Sequence, residues 1–134
     1  MATIEYGSPI DLNLFRYADA LLLYAEALNE GGQTAQALAP LNKVRTRATM
    51  PAIAAGLSQA EMRDKILHER RVELYLEGKR YFDLRRQGTL METINNNQGW
   101  DLHGGANYKS HYDLWPIPSE TTDNNPNIAQ NPGY

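Results

Sequence analysis

The sequence predicts a mainly α fold: a helical hairpin, two further helices and a long irregular C-terminal tail docked on them. Two observations carry that expectation. From about Phe15 to Gln87 apolar residues recur at helical spacing between glycine stops and capping residues. After Gly88 the periodicity ends, and residues 89–134 are rich in Asn, Gly and Pro.

The first helix runs from near Arg16 to Asn29. It is apolar almost all round, with Asp19 and Glu26 on one narrow polar edge, so most of its sides must be covered. Gly31 and Gly32 stop it, because glycine most cheaply takes the left-handed turn after a helix. Thr34 is placed to cap a second helix, Ala35 to about Arg47, with Leu38, Leu41 and Val44 at helical spacing. Pro40 lies inside that helix and should remove one backbone hydrogen bond or kink it. Leu21, Tyr24, Ala25, Leu28, Gly32, Ala37, Leu41 and Val44 follow the spacing of a tetratricopeptide-type helix pair, with small residues where helices approach closely. One such unit cannot bury both its faces and should pack on neighbouring helices or repeats. A generic helical hairpin satisfies the same spacing.

Ser58, with Glu61 three residues on, forms a capping box that opens a third helix running to Glu77 before Gly78. Asp83, Leu84 and Arg85 belong to a short fourth helix that Gly88 ends. Across this pair lies the run from Glu69 to Arg86, ERRVELYLEGKRYFDLRR, in which ten of eighteen residues are charged. Wound at about 100° per residue, Ile66, Leu67, Arg70, Glu73, Leu74 and Glu77 fall within an arc of about 120°. Ions therefore share the apolar face. Glu73 and Glu77 are one turn apart and of like sign, which is unfavourable unless a cation sits between or opposite them. Arg70 can supply one. Arg16, Arg45 and Arg80 are the other candidates, because a guanidinium fork satisfies two carboxylates as an ammonium cannot. The expected arrangement is a partly buried Arg/Glu/Asp network locking helices together; the alternative is a solvated helix whose charges pair at the surface.

At 134 residues the chain is one domain's worth. Sixteen acids against thirteen Lys and Arg give a net charge of −3. The bases from 58 to 88 are interleaved with acids and form no basic arm, so no nucleic-acid footprint is expected. Cysteine is absent, which excludes disulfides, thiolate metal sites and thiol catalysis. The sequence holds no secretory leader, lipidation cysteine or long apolar run, so the chain as given reads as soluble.

The tail is too long for an ordinary connection, which makes it functional or held down by docking. Pro116 and Pro118 push Tyr112–Pro118 to extended backbone. Asn124, Pro126, Asn131, Pro132 and Gly133 then make successive turns. Trp115, beside Pro116, is expected in the core.

Several segments then converge on one family. Arg16 to Asp19, Tyr24 to Ala27, Asn42 to Ala48, Glu69 to Arg85 with its ER, EL, EG and DLRR elements, the LWPIP piece at 114–118 and the closing NPNIAQNPGY resemble, in this order, the C-terminal part of SusD/RagB-type proteins. The resemblance spans about residues 14–134 and implies a SusD-like C-terminal domain, with a hairpin at 14–48, a charged helix pair at 58–88 and a loop-rich tail at 89–134. Residues 1–13 are left as a leader or incoming loop. What it further implies is a cell-surface lipoprotein of the outer membrane that captures an oligosaccharide or other nutrient and passes it to a TonB-dependent transporter. Its lipid anchor would lie in an N-terminal part that this chain lacks, and no cofactor is implied. The resemblance also turns the charged run into a structural knot, for which Arg16, Arg70, Glu73, Glu77, Arg80 and Asp83 are the expected members.

Catalysis is not expected. Carboxylates at helical spacing sit beside arginines, which keep them ionised and make them poor proton donors near neutral pH. His68 and Glu69 begin a zincin-like motif, but Val72 stands where its second His is needed. Binding character is greatest in the loop from Asn95 to Tyr112. There Trp100 and Tyr108 can stack on a pyranose face, and Asp101, His103 and Asn107 can bond its hydroxyls. The alternatives are that Trp100 and Tyr108 pin the loop to the helices, and that the helix pair is a tetratricopeptide-like protein-interaction module without sugar binding.

Overall fold

The computed structural model describes residues 14–96 and 108–134. All regular structure among the described residues is helical. The chain divides after Arg80 into two compact units.

The first unit holds α1 (Tyr17–Glu30), α2 (Thr34–Arg47) and α3 (Gln59–Glu73). Leu22 and Ala25 of α1, Ala37, Leu41 and Val44 of α2, and Met62 and Ile66 of α3 form its core. Ala25 and Ala37 are fully buried, small side chains where the hairpin closes. The α1–α2 turn is tight: Gly32 has φ +76°, and the Gln33 amide donates to Leu28 O at 2.8 Å. Thr34 does not cap α2. It is the first helical residue, Gln33 precedes it, and the Thr34 hydroxyl donates instead to Asn29 Oδ1 at 3.0 Å. α2 runs through the buried Pro40 to Arg47, so the lost N–H does not break the helix.

Two features of this unit differ from the sequence expectation. Asp19 and Glu26, read as a polar edge, are buried at 2% and 6% exposure, while Tyr17, Leu23 and Tyr24 of the same helix face outward. α1 therefore turns its carboxylates inward. The second difference lies at the end of α3. Its capping box forms as expected, with Glu61 N to Ser58 Oγ at 3.3 Å and Ser58 N to Glu61 Oε2 at 2.8 Å. However, the helix stops at Glu73 rather than Glu77. Continuing the helix as far as Glu77 would have needed Glu77 N to bond Glu73 O. The Arg16 guanidinium takes that carbonyl, Glu77 N turns to Leu74 O at 3.1 Å, and Leu76 at φ +63° carries the chain away.

The second unit holds α4 (Arg80–Arg86), which begins one residue before it, α5 (Leu90–Asn96), a 3-10 turn over Ser110–Asp113, and α6 (Ser119–Asn124). α5 and α6 fall in the stretch the sequence left irregular, because six or seven residues give too little periodicity to register. Side-chain amides order the remaining chain. Gln130 accepts from Ile117 N at 2.7 Å and donates to Ile117 O at 2.8 Å, and Asn131 Nδ2 donates to Trp115 O at 2.6 Å. With the backbone so pinned, Trp115 is 82% exposed. This corrects the expectation that it is core: its main chain is held and its indole is not.

Candidate functional site

α3 carries ions on the face it turns to the hairpin, and each meets a partner of opposite sign. Arg70 Nη1 donates to Asp19 Oδ1 at 2.9 Å, with both side chains 3% exposed. The other oxygen of Asp19 receives Lys79 Nζ at 3.1 Å. Burial pushes the Asp19 carboxyl up, but the hydrogen bonds from Arg70 and Lys79 outweigh it and hold the group below its ordinary 3.8. Lys79 also donates to Leu14 O at 2.7 Å and lies 4.3 Å from the Phe15 ring centre. One ammonium thus ties the start of the described chain to α1.

A second cluster gathers around Glu73. Arg16 Nη1 meets Glu73 Oε1 at 2.6 Å, and Arg16 Nε reaches both oxygens of Glu77 at 2.8 and 2.9 Å. From α2, Arg47 Nη2 contacts both oxygens of Glu73 at 2.7 and 2.8 Å. The Glu77 hydrogen bond, opposed by partial burial and reinforced by Glu73, raises the Arg16 guanidinium above its ordinary range. Two further pairs complete the set. Arg45 of α2 meets Glu69 of α3 at 2.5 Å, and Glu30 of α1 meets Arg63 of α3 at 2.7 Å.

Of the residues expected in the knot, the structure brings Arg16, Glu73 and Glu77 together. It places Arg70 on Asp19, and Asp83 with Arg86 of its own helix at 2.8 Å. Arg80 is half-buried at the start of α4. The sequence reading did not assign Asp19, Arg47, Glu69 or Lys79 to the network. The missed signal was the acid in the first turn of a largely apolar helix, whose partner lies 51 residues away.

Of the ligand candidates, Trp100, Asp101, His103 and Asn107 lie outside the described residues. Tyr108 is half-buried. Its amide donates to Asn95 Oδ1 at 2.8 Å, and Asn95 Nδ2 returns a bond to Tyr108 O at 3.2 Å. Its hydroxyl donates to Asp113 Oδ1 at 3.0 Å, and its ring meets Tyr112 edge-on at 5.6 Å. Desolvation and the Asp113 hydrogen bond push the phenol up to about 12. Among the described residues no three His, Asp or Glu side chains converge as metal ligands, and no helix is long and apolar enough to cross a membrane.

A tetratricopeptide-like hairpin held to a third helix by one buried and several partly exposed Arg–carboxylate pairs, with a loop-rich unit after it, defines a scaffold that is all-helical among the described residues. The chain belongs to the SusD family, whose model matches residues 3–134. It is 37% identical over 129 residues to the starch-binding protein SusD of Bacteroides thetaiotaomicron, covering 92% of this chain and 22% of that protein. It is 35% identical over 129 residues to SusD-like protein P38 of Formosa agariphila, covering 90% of this chain and 24% of that one. The crystal structure of a SusD superfamily protein from Bacteroides vulgatus superposes with a TM-score of 0.73 at 28% identity, covering 92% of this chain and 27% of that one. The chain thus spans about a quarter of the length of the relatives it matches.

Proposed function

We propose that this chain is the helical scaffold portion of a non-catalytic, glycan-binding outer-membrane protein that serves polysaccharide uptake together with a TonB-dependent transporter. The observation that carries the reading is the family match over residues 3–134, joined to 37% identity with a protein named for starch binding. On this reading the protein is lipid-anchored on the cell-surface side. The ion-paired hairpin gives it rigidity, and the loop holding Trp100, Asp101, His103, Asn107 and Tyr108 supplies ligand contacts. Aromatic faces stack on pyranose C–H surfaces, and the polar side chains select hydroxyls.

Calorimetry with a panel of neutral and acidic oligosaccharides tests it. Heat of binding that disappears in Trp100→Ala, with the melting temperature unchanged, is the expected result. Binding that survives the substitution removes the loop from the site, and no heat from any glycan contradicts the reading as a whole.

The outward-facing Tyr17, Leu23 and Tyr24 on α1 favour a second reading, a protein-interaction module without sugar binding. Capture of the purified transporter by a chain that binds no glycan would establish that alternative.

A further inference from the structure

We propose that the cleft between the first turn of α1 and the last turns of α2 receives a uronic-acid residue of an acidic glycan. This rests on the glycan-binding reading and narrows its substrate class. The cleft holds about 380 Å³, at the small end of ligand pockets, which run from about 300 to 1,000 Å³. That is room for one or two sugar rings. Leu21 and Val44 contribute apolar lining, and Arg16, Tyr17, Lys43 and Arg47 bring the polar groups.

Charge selects the ligand. Glu73 and Glu77 hold Arg16, and Glu73 engages Nη2 of Arg47. Lys43 has no carboxylate partner among the described residues. Its ammonium donates to the Tyr17 hydroxyl at 2.9 Å and lies 5.1 Å from that ring's centre. Lys43 and Arg47 are one turn apart on α2 and therefore share a face. Arg47 is 64% exposed. A neutral sugar leaves the Lys43 charge without an anionic partner. A uronate matches both halves of the cleft: its C–H face lies on the half-buried Leu21, and its carboxylate replaces the phenol as the acceptor for Lys43. The exchange is favourable because an ionic hydrogen bond is roughly twice as strong as one to a neutral oxygen.

Titration calorimetry of the full chain with trigalacturonate and with maltotriose, at low and high salt, tests the assignment. Trigalacturonate is expected to bind and to weaken as salt rises. Lys43→Met should weaken it about tenfold, the loss of one charge-assisted hydrogen bond, and Lys43→Arg should restore most of it. Neither substitution should move the melting temperature, because Lys43 is exposed. Binding of maltotriose with none of trigalacturonate overturns the inference and leaves the glycan reading standing. Trigalacturonate binding untouched by Lys43→Met overturns it as well, as does equal competition by a short Glu-Leu-Glu peptide. No heat from any sugar removes both.

Discussion

Asp19 is a buried carboxylate that ties the first turn of α1 to α3 and to Lys79. Its carboxylate is buried, and such a group is tolerated only when its charge and lone pairs are met. Arg70 and Lys79 meet them. Because its folded pKa is lowered, Asp19 binds fewer protons folded than unfolded in the acid range. Its contribution is therefore present above the ordinary value of 3.8 and is lost as pH falls through the folded value. The urea midpoint should accordingly hold between about pH 5 and 7 and decline below about pH 4, and Asp19→Asn should flatten part of that decline. Glu30, held low by Arg63, contributes with the same sign, so some slope should remain. Gly133 is constrained in a different way. It sits at φ +98°, and a Cβ there would lie 2.5 Å from His111 Cγ. Gly133→Ala should cost about 1–3 kcal/mol by overpacking, read as faster amide exchange at Ile117; unchanged exchange would show that the tail yields freely.

At the scale of elements, local signals were legible and distant ones were not. The Ser58–Glu61 box is a matter of four adjacent residues, and it forms where the sequence places it. Ser58→Ala should cost about 1 kcal/mol of stability, measurable by urea unfolding, and no loss would mean that packing alone sets the start of α3. The glycine stops at 32 and 88 were equally plain, since both residues take positive φ. The inward turn of α1 was not plain. Helical spacing gives a carboxylate's angle around the axis, but which side faces protein depends on partners dozens of residues away. The end of α3 illustrates the same limit, because Arg16, 57 residues away, takes the Glu73 carbonyl that a helix continuing to Glu77 would have used. In the second unit, Asn95 and Gln130 were read as loop composition, yet their amides bond backbone as a neighbouring strand would. Composition does not reveal such pairing. Thr89 with Glu92 three residues later was a helix-start pattern that would have exposed α5.

For the whole molecule, the ion pairs explain how a modest core supports a defined arrangement. The first unit buries few large apolar side chains, while α3 is joined to both hairpin helices through Arg63, Glu69, Arg70 and Glu73. Buried pairs add little net stability over apolar packing but penalise any arrangement that separates them. We take their value here to be geometric. Asp19 and Arg70 test this most directly, through urea unfolding of the native chain, Arg70→Ala, and the double variant Asp19→Leu with Arg70→Met. Arg70→Ala should lose about 3 kcal/mol or more, because it strands a buried carboxylate, and the apolar double variant should recover most of that loss. An Arg70→Ala protein as stable as the native chain would contradict the claim that buried ion pairs hold this scaffold together.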